Sequence, residues 1–386
     1  MQDRSRIREL LAFLSTVRGD LANIASPPSQ LAPRSVVEVP SCWSERPSIF
    51  AAPALESDPA KRSLLVLEWF LRSLRTQFYI GGDTSLALKK PLNSFLGELF
   101  IGTWQDEGAT TKLVTEQVSH HPPITACHMS DEEHGISAEG YSRVEMTFDG
   151  NINIKQFGHA TIHINEFDED YLIPFPDARV KGLLSGHLYP ELVGTYAIVS
   201  SSGYISEINF SGKGYFSGAA NAFKAAMYHK SDPNKTPLYT VEGRWSDTFT
   251  VRQVGKVLAS IDTSSPPAKV IYPDVADSWE TRSAWKSTID ALKSGNTKVA
   301  GTEKSKLEEA QRAMRRKEVA QEKKWTPVFF STKDQDEERS SFESLASDTN
   351  WQLHSEKTKG VWSFDAAKAE RAAAPFHESL TPYGCV

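Results

Sequence analysis

Cysteine is scarce in this 386-residue chain: Cys42, Cys127 and Cys385 are the only three. Their number is odd and their spacing fits neither a disulfide framework nor a set of metal ligands, so a reducing compartment and no metal site are expected. No run approaches the roughly 18 uninterrupted apolar residues of a membrane span. Basic excess is missing too. Asp and Glu number 49 against 43 Lys and Arg, a formal charge of −6, which argues against nucleic acid as a partner. Attraction to an anionic membrane would therefore need a local basic patch. The apolar stretch from Leu10 to Leu14 is too short for a secretory leader, and the expected location is the cytosol. Neither a GxSxG nucleophile elbow nor an HExxH metal motif occurs.

What is present is a change of period along the chain. Ile7, Leu10, Leu11, Leu14 and Val17 share one face of a helix over residues 6–18. Ser26-Pro27-Pro28 follows as a hinge. This segment reads either as a helix docked on the core or as an amphipathic flap that covers an opening or touches a membrane surface. Residues 57–79 predict a second helix, broken by Gly81-Gly82-Asp83. From Lys89 onward the pattern alternates. Ala160, Ile162 and Ile164 interleave with polar residues, as do Val144, Met146 and Phe148, and further strand-like runs cover 100–104, 112–118, 196–200, 204–210, 238–245 and 249–254. Many short antiparallel strands over about 170 residues predict a barrel or sandwich. Alternation does not say whether its interior is filled or hollow. From Trp279 the composition turns helical, and residues 303–324, dense in Glu, Lys, Arg and Ala, predict a solvated helix.

Three segments could carry chemistry. In Glu116-Gln117-Val118-Ser119-His120-His121-Pro122-Pro123 two adjacent histidines on a strand point to opposite faces, so they cannot chelate one metal by strand geometry alone. With unperturbed pKa values of about 6.5 they suit phosphate binding, and the anion would favour their protonated forms. A Ser/His hydrolase centred on Ser119 and His120 is the enzymatic alternative, without an identifiable orienting group. Lys304, Glu308 and Arg312 fall at i, i+4 and i+8, where Glu308 can brace both cations for a phosphomonoester or merely complete a surface ladder. The glycine-rich run 211–218 lacks the Walker GK[ST] and predicts a hairpin or barrel-corner turn. Trp362-Ser363-Phe364 is expected to be C-terminal packing.

EQVSHHPP, residues 116–123, resembles the signature of the oxysterol-binding protein family. Lys89-Lys90-Pro91-Leu92-Asn93-Ser94-Phe95-Leu96-Gly97-Glu98 is similar to the family's KKPLNPFLGE segment, differing at Ser94. Lys155-Gln156-Phe157-Gly158-His159, the 210–218 segment and the K-x-x-x-E-x-x-x-R run from Lys304 to Arg312 also look like family blocks. The resemblance covers about residues 1–330 and is to the short form, a lidded lipid-binding domain alone.

What the resemblance implies is a mainly β fold with flanking helices: an incomplete antiparallel β-barrel around a lipid tunnel. The expected layout is a lid and hinge over 1–28, an N-terminal helical segment over 29–95, the barrel over 96–265 and a helical C-terminal subdomain over 266–386. The tunnel would accept phosphatidylinositol 4-phosphate or a sterol, one excluding the other. Lys90, Leu92, Asn93, His120, His121, Lys304, Glu308 and Arg312 would form the headgroup site, with Glu308 a brace. Ile7, Leu10, Leu11 and Leu14 of the lid, with Gln77, Phe78 and Ser142, would line the tunnel. Phe78, Ser142, Ile7 and Leu10 stand where the best-known sterol binder of the family has other residues, so the phosphoinositide side matches more fully. The expected protein is a monomeric, non-enzymatic carrier that exchanges these lipids between membranes it contacts transiently, at Golgi and endoplasmic reticulum contacts, with lipid as cargo and no cofactor. A lipid sensor without bulk transport is the other reading of the same site.

Overall fold

Asp58 starts the first long helix. Its carboxylate accepts from Ala60 N at 2.9 Å and Lys61 N at 3.4 Å, and Pro59 occupies the first helical position, where a missing N–H costs nothing. This helix, Pro59–Phe78 (α1), agrees with the predicted span. It belongs to a computed structural model that describes residues 9–10, 12–14, 20–24, 26–183, 187–212, 218–333 and 335–385. Leu67, Trp69, Phe70, Leu71 and Leu74 are all buried, and so are Arg62, Ser63, Ser73 and Thr76 on other sides. A helix buried nearly all round lies inside a fold rather than on it. Burial of each such large side chain contributes about 1.5–3 kcal/mol. Arg62 is tolerated there because its guanidinium reaches Glu169 at 2.5 Å and the Glu56 carbonyl at 2.7 Å.

Around α1 runs one antiparallel sheet of 14 strands. In chain order the strands are β3 (Leu99–Asp106), β4 (Ala109–His120), β5 (Pro123–Asp131), β6 (Ile136–Phe148), β7 (Ile152–Ile164), β8 (Glu169–Ile173), β9 (Asp177–Lys181) and β10 (Tyr189–Ser200). They continue as β11 (Tyr204–Phe210), β12 (Ala222–His229), β13 (Tyr239–Arg244), β14 (Thr248–Gln253), β15 (Lys256–Asp262) and β16 (Val270–Ile271). β1 (Leu31–Ser35) and β2 (Lys90–Leu92) form a separate parallel pair. Neighbouring strands are sequence neighbours almost throughout. The path ends on β15 at one edge and β16 at the other, which makes the barrel incomplete as expected. Every strand-like run read from alternation lies on one of these strands, with 238–245 overrunning β13 by one residue at each end and 249–254 overrunning β14 by one residue. Val270–Ile271 adds to the sheet on β3, so pairing continues past residue 265. The glycine-rich run joins β11 to β12, which pair antiparallel; its residues 213–217 lie outside the described residues. In β7, Gly158 has a φ of +110°, which suits glycine, and a Cβ there would fall 2.0 Å from the Tyr141 carbonyl oxygen.

The interior is both filled and hollow. One end is packed by α1 against Phe223, Phe249, Trp245 and Met227 of the strands and loops. The other end encloses a cavity of about 930 Å³. Outside this end lie the helices Lys286–Lys293 (α2) and Thr297–Ala320 (α3), the latter capped by the Asn296 side chain on Val299 N at 3.2 Å. α3 is not solvated on every side. Lys304, Leu307, Gln311 and Met314 are buried at alternating spacings of three and four. The tail is also tied in: Phe330–Thr332 (β17) pairs with Trp362–Phe364 (β18), and Phe364 stacks on His128 at 3.9 Å. Its few apolar residues therefore pack, as read for Trp362.

A cavity with a cationic mouth

Each wall of the cavity comes from a different element. Gln77 and Phe78, at the C-terminal end of α1, line it, with Phe78 also 5.7 Å from the Trp245 ring. Tyr141, Ser142, Val144 and Met146 of β6 form part of the wall. Two buried cysteines, Cys42 and Cys127, also line it, and burial pushes the Cys127 thiol up to about 12. Over the opening lies the N-terminal segment. Residues 9, 10 and 12–14 are helical, and Leu10, Leu14 and Leu21 are buried with Leu183 against Met146, Phe148 and Ile152. Leu10 and Leu14 line the cavity, while Ile7 and Leu11 lie outside the described residues. Asp20 fixes this segment, its carboxylate accepting from Ala22 N at 2.9 Å and from Met146 N of β6 at 2.8 Å.

Lys90, Asn93, His120, His121, Glu308 and Arg312 come together at the mouth. The pairing of Leu31 with Lys90 sets Lys90 beside the chain that leaves the lid. Its ammonium donates to the carbonyls of Leu21, Ala22 and Ile24 at 3.1, 3.0 and 3.1 Å. Burial, and then the charge of Lys304, lowers its pKa to about 8. Leu92 and Lys304 stand one layer back. Leu92 is fully buried beneath the mouth, and Lys304 is buried with its ammonium on the Glu308 carboxylate. Arg312 is exposed and has no ion pair among the described residues.

Both histidines face the cavity, which corrects the expectation of opposite faces. His120 ends β4, but His121 lies in the turn beyond it, where strand alternation no longer applies, and the two rings sit 4.6 Å apart. The Ser94 carbonyl lies 3.0 Å from His120 Nδ1; a carbonyl only accepts, so Nδ1 carries the proton and Nε2 is left as the acceptor of the neutral ring. Burial, followed by His121, lowers the His120 pKa to about 4, so without an anion the ring is neutral. The expected protonated form thus requires the anion to arrive. Ser94, the departure from the similar segment, makes bonds that a proline could not. Its hydroxyl accepts from Val37 N at 3.1 Å and lies 3.0 Å from Ser35 Oγ.

The remaining motif residues hold the scaffold. Glu116 accepts from Val328 N at 2.8 Å and Phe329 N at 2.9 Å, tying the C-terminal segment to β4. Glu98 accepts from Thr281 Oγ1 at 2.9 Å and Trp285 Nε1 at 3.0 Å. Burial pushes both carboxyls up to about 7. Ser119, the imagined nucleophile, is buried and does not line the cavity. Sequence reading missed Arg315 and Arg316, which line the mouth beside Arg312. The signal was present, since they continue the same helical face three and four residues further on.

Comparison with known proteins agrees with this fold. The family model described as oxysterol-binding protein matches residues 9–289 and 280–362. The chain is 50% identical over 377 residues to the probable transporter efuK of Hormonema carpetanum, covering 96% of this chain but 54% of that protein. It therefore spans about half of that relative's length. Protein kes1 of Schizosaccharomyces pombe is 37% identical over 337 residues, 85% of this chain and 87% of its own. The fold is similar to the crystal structure of the Osh3 ORD in complex with PI(4)P from Saccharomyces cerevisiae, with a TM-score of 0.70 at 22% identity over 88% of this chain and 94% of that one. The Osh1 ORD domain in complex with ergosterol gives 0.68 at 22% identity, over 84% and 83%.

Proposed function

The chain belongs to the oxysterol-binding protein family, and on that premise we propose that it extracts phosphatidylinositol 4-phosphate from one membrane and exchanges it for a sterol at another. The observation that carries this reading is the pairing of an apolar cavity of about 930 Å³ with a mouth holding Lys90, Arg312, His120 and His121. Acyl chains or a sterol would take the cavity, each 100 Å² of apolar surface removed from water contributing about 2.5 kcal/mol. The phosphorylated headgroup would take the mouth, where Lys90, Asn93, the histidines and Arg312 supply donors and Glu308 holds Lys304 in place. Gln77, Phe78 and Ser142 would face the sterol. Two structures with this fold support the pair of ligands, one a complex with PI(4)P and one with ergosterol.

A carrier needs no bond-making chemistry, and none is assigned to Ser119 or the histidines. Two cargoes competing for one cavity allow one gradient to drive the other, and the covering N-terminal segment supplies the gate. No helix among the described residues is long and apolar enough to cross a membrane, so contact with the bilayer would be peripheral. The test is extraction from liposomes by purified protein, with each lipid offered alone and then together. Uptake of both with mutual competition is expected. Uptake of neither by folded protein would overturn transport in favour of a sensing role.

A further inference from the structure

Pro174-Phe175-Pro176 breaks one strand of the barrel in two. β8 and β9 both run antiparallel to β7 and β10 and lie between them, β8 pairing with Ala160–Ile164 of β7 and β9 with Ile152–Ile154. Neither proline has an N–H to give, and residues 155–159 of β7 and 194–198 of β10 find no ladder partner across the break. Side chains replace the ladder. Gln156 N donates to the Asp177 carboxylate at 3.0 Å and its Nε2 to the Pro176 carbonyl at 2.5 Å, while Asp177 N donates to the Tyr196 hydroxyl at 2.9 Å. The wall is thin here. Gln156 and Phe175 line the lipid cavity and also a second cavity of about 530 Å³ outside it, where Lys155 and Phe157 of β7 meet Phe342 and Trp351 of the C-terminal segment. Phe175 lies flat against Trp43, ring centres 5.7 Å apart and planes 9° apart, and Trp69 Nε1 holds the Trp43 carbonyl at 3.0 Å.

We propose that Phe175 is a specificity-determining residue of the cargo cavity: its ring closes a lateral opening in the barrel wall and so limits how broad a polycyclic lipid the cavity accepts. This rests on the carrier reading above. Gln156 fixes the rim, since its amide is engaged by the Pro176 carbonyl, and the ring fills the space between the two cavities. A phenyl ring is a rigid apolar plate, and the stack on Trp43 sets its plane. Because protein interiors are close-packed, a bulky substituent on the cargo that meets this plate has no room. Acyl chains and flat, unsubstituted sterols need none. Beyond the ring, Asp177, Glu207 and Asn350 stand beside Trp351 in the outer cavity. A polar substituent on a polycyclic lipid would find hydrogen-bond partners and an aromatic face there once the ring is removed.

The experiment uses the full chain and Phe175→Ala, with liposomes containing a plain sterol or a sterol that bears a polar fluorophore on its ring system. The unaltered protein is expected to take up the plain sterol and exclude the broader one, and Phe175→Ala to take up both. The variant should also release plain sterol to acceptor vesicles about tenfold faster, the factor for re-exposing roughly 55 Å² of apolar surface at about 25 cal/mol per Å². Cys42 and Cys127 supply a readout that needs no cargo, because both are buried and line the lipid cavity. Their labelling by N-ethylmaleimide, mapped by mass spectrometry, should rise several-fold in Phe175→Ala. Phe175→Leu, which refills part of the space, should fall between the two on every measure and serves if the alanine variant does not fold. Unchanged labelling in a folded variant, continued exclusion of the broader sterol, or its free uptake by the unaltered protein overturns the proposal. Should the unaltered protein take up no sterol at all, the sterol half of the functional reading fails, and thiol labelling alone decides whether Phe175 closes the wall.

Discussion

The ammonium of Lys90 donates to the carbonyl of Ile24 at 3.1 Å, with Leu21 and Ala22 taking its other two bonds. One side chain at the cavity mouth thus holds the chain that leads to the lid. A bound phosphate would compete for the same three protons, linking headgroup binding to release of the segment. Lys90→Met is therefore expected to speed amide exchange at residues 20–24 as well as to impair phosphoinositide extraction. Unchanged exchange there would show that the lysine does not tether the lid.

The same lysine sets a pH dependence. Its pKa is lowered to about 8 by burial and Lys304, with Asp20 and Glu308 acting the other way. An anion favours the charged form, so above about pH 8 binding takes up a proton. Affinity should then fall as pH rises, by up to about tenfold per unit for one proton. His120 works in the same direction at lower pH. It starts from about 4, lowered by burial, then His121, with Arg315 adding and the Ser94 carbonyl and Glu308 opposing. Extraction measured from about pH 6 to about pH 9 at fixed ionic strength should decline toward alkaline pH, and a flat profile would contradict both assignments.

Replacing His120 and His121 together by Ala should abolish phosphoinositide extraction and leave sterol uptake nearly unaffected. Both rings face the mouth and not the packed end of the barrel. Equal loss of the two cargoes would remove the histidines from the headgroup site.

Glu116 belongs to the same sequence motif but predicts a different phenotype. Glu116→Ala leaves the amides of Val328 and Phe329 without their buried acceptor and should cost about 2–4 kcal/mol in urea unfolding. Its pKa is raised to about 7 in the fold, mainly by burial. A raised acid stabilises the fold fully below its unfolded value, and that contribution is lost as pH rises through about 7. Glu116→Gln should flatten this part of the stability profile while the preference for phosphorylated lipid persists. A changed preference would place Glu116 in binding rather than in the scaffold.

Deleting residues 1–28 should leave the barrel folded but let bound lipid escape. The deletion removes Leu10, Leu14 and Leu21 from a cluster completed by Met146, Phe148 and Ile152 of the barrel. Retention of a fluorescent sterol measured against empty acceptor vesicles tests it, and unchanged retention would mean that the segment does not close the cavity.

The sequence by itself determined the strands and their order along the chain, and its likeness to the family pointed to a barrel rather than a sandwich. Period-two alternation marked the strands because each successive side chain must choose between two faces, and α1 was legible from its apolar spacing and the Gly81-Gly82-Asp83 break after it. It also supplied most of the mouth, since the similar segments named Lys90, Asn93, His120, His121, Glu308 and Arg312. Tertiary structure alone decided the rest. Periodicity records which side of a strand is buried and not what it is buried against, so only packing shows α1 filling one end and leaving the other hollow. The two histidines share a face because one lies beyond the strand's last pair. Leu92 and Lys304 stand behind the mouth, and Arg315 reaches it, because burial depth depends on elements distant in sequence: Gly97, Trp325 and α3 meet only in the fold.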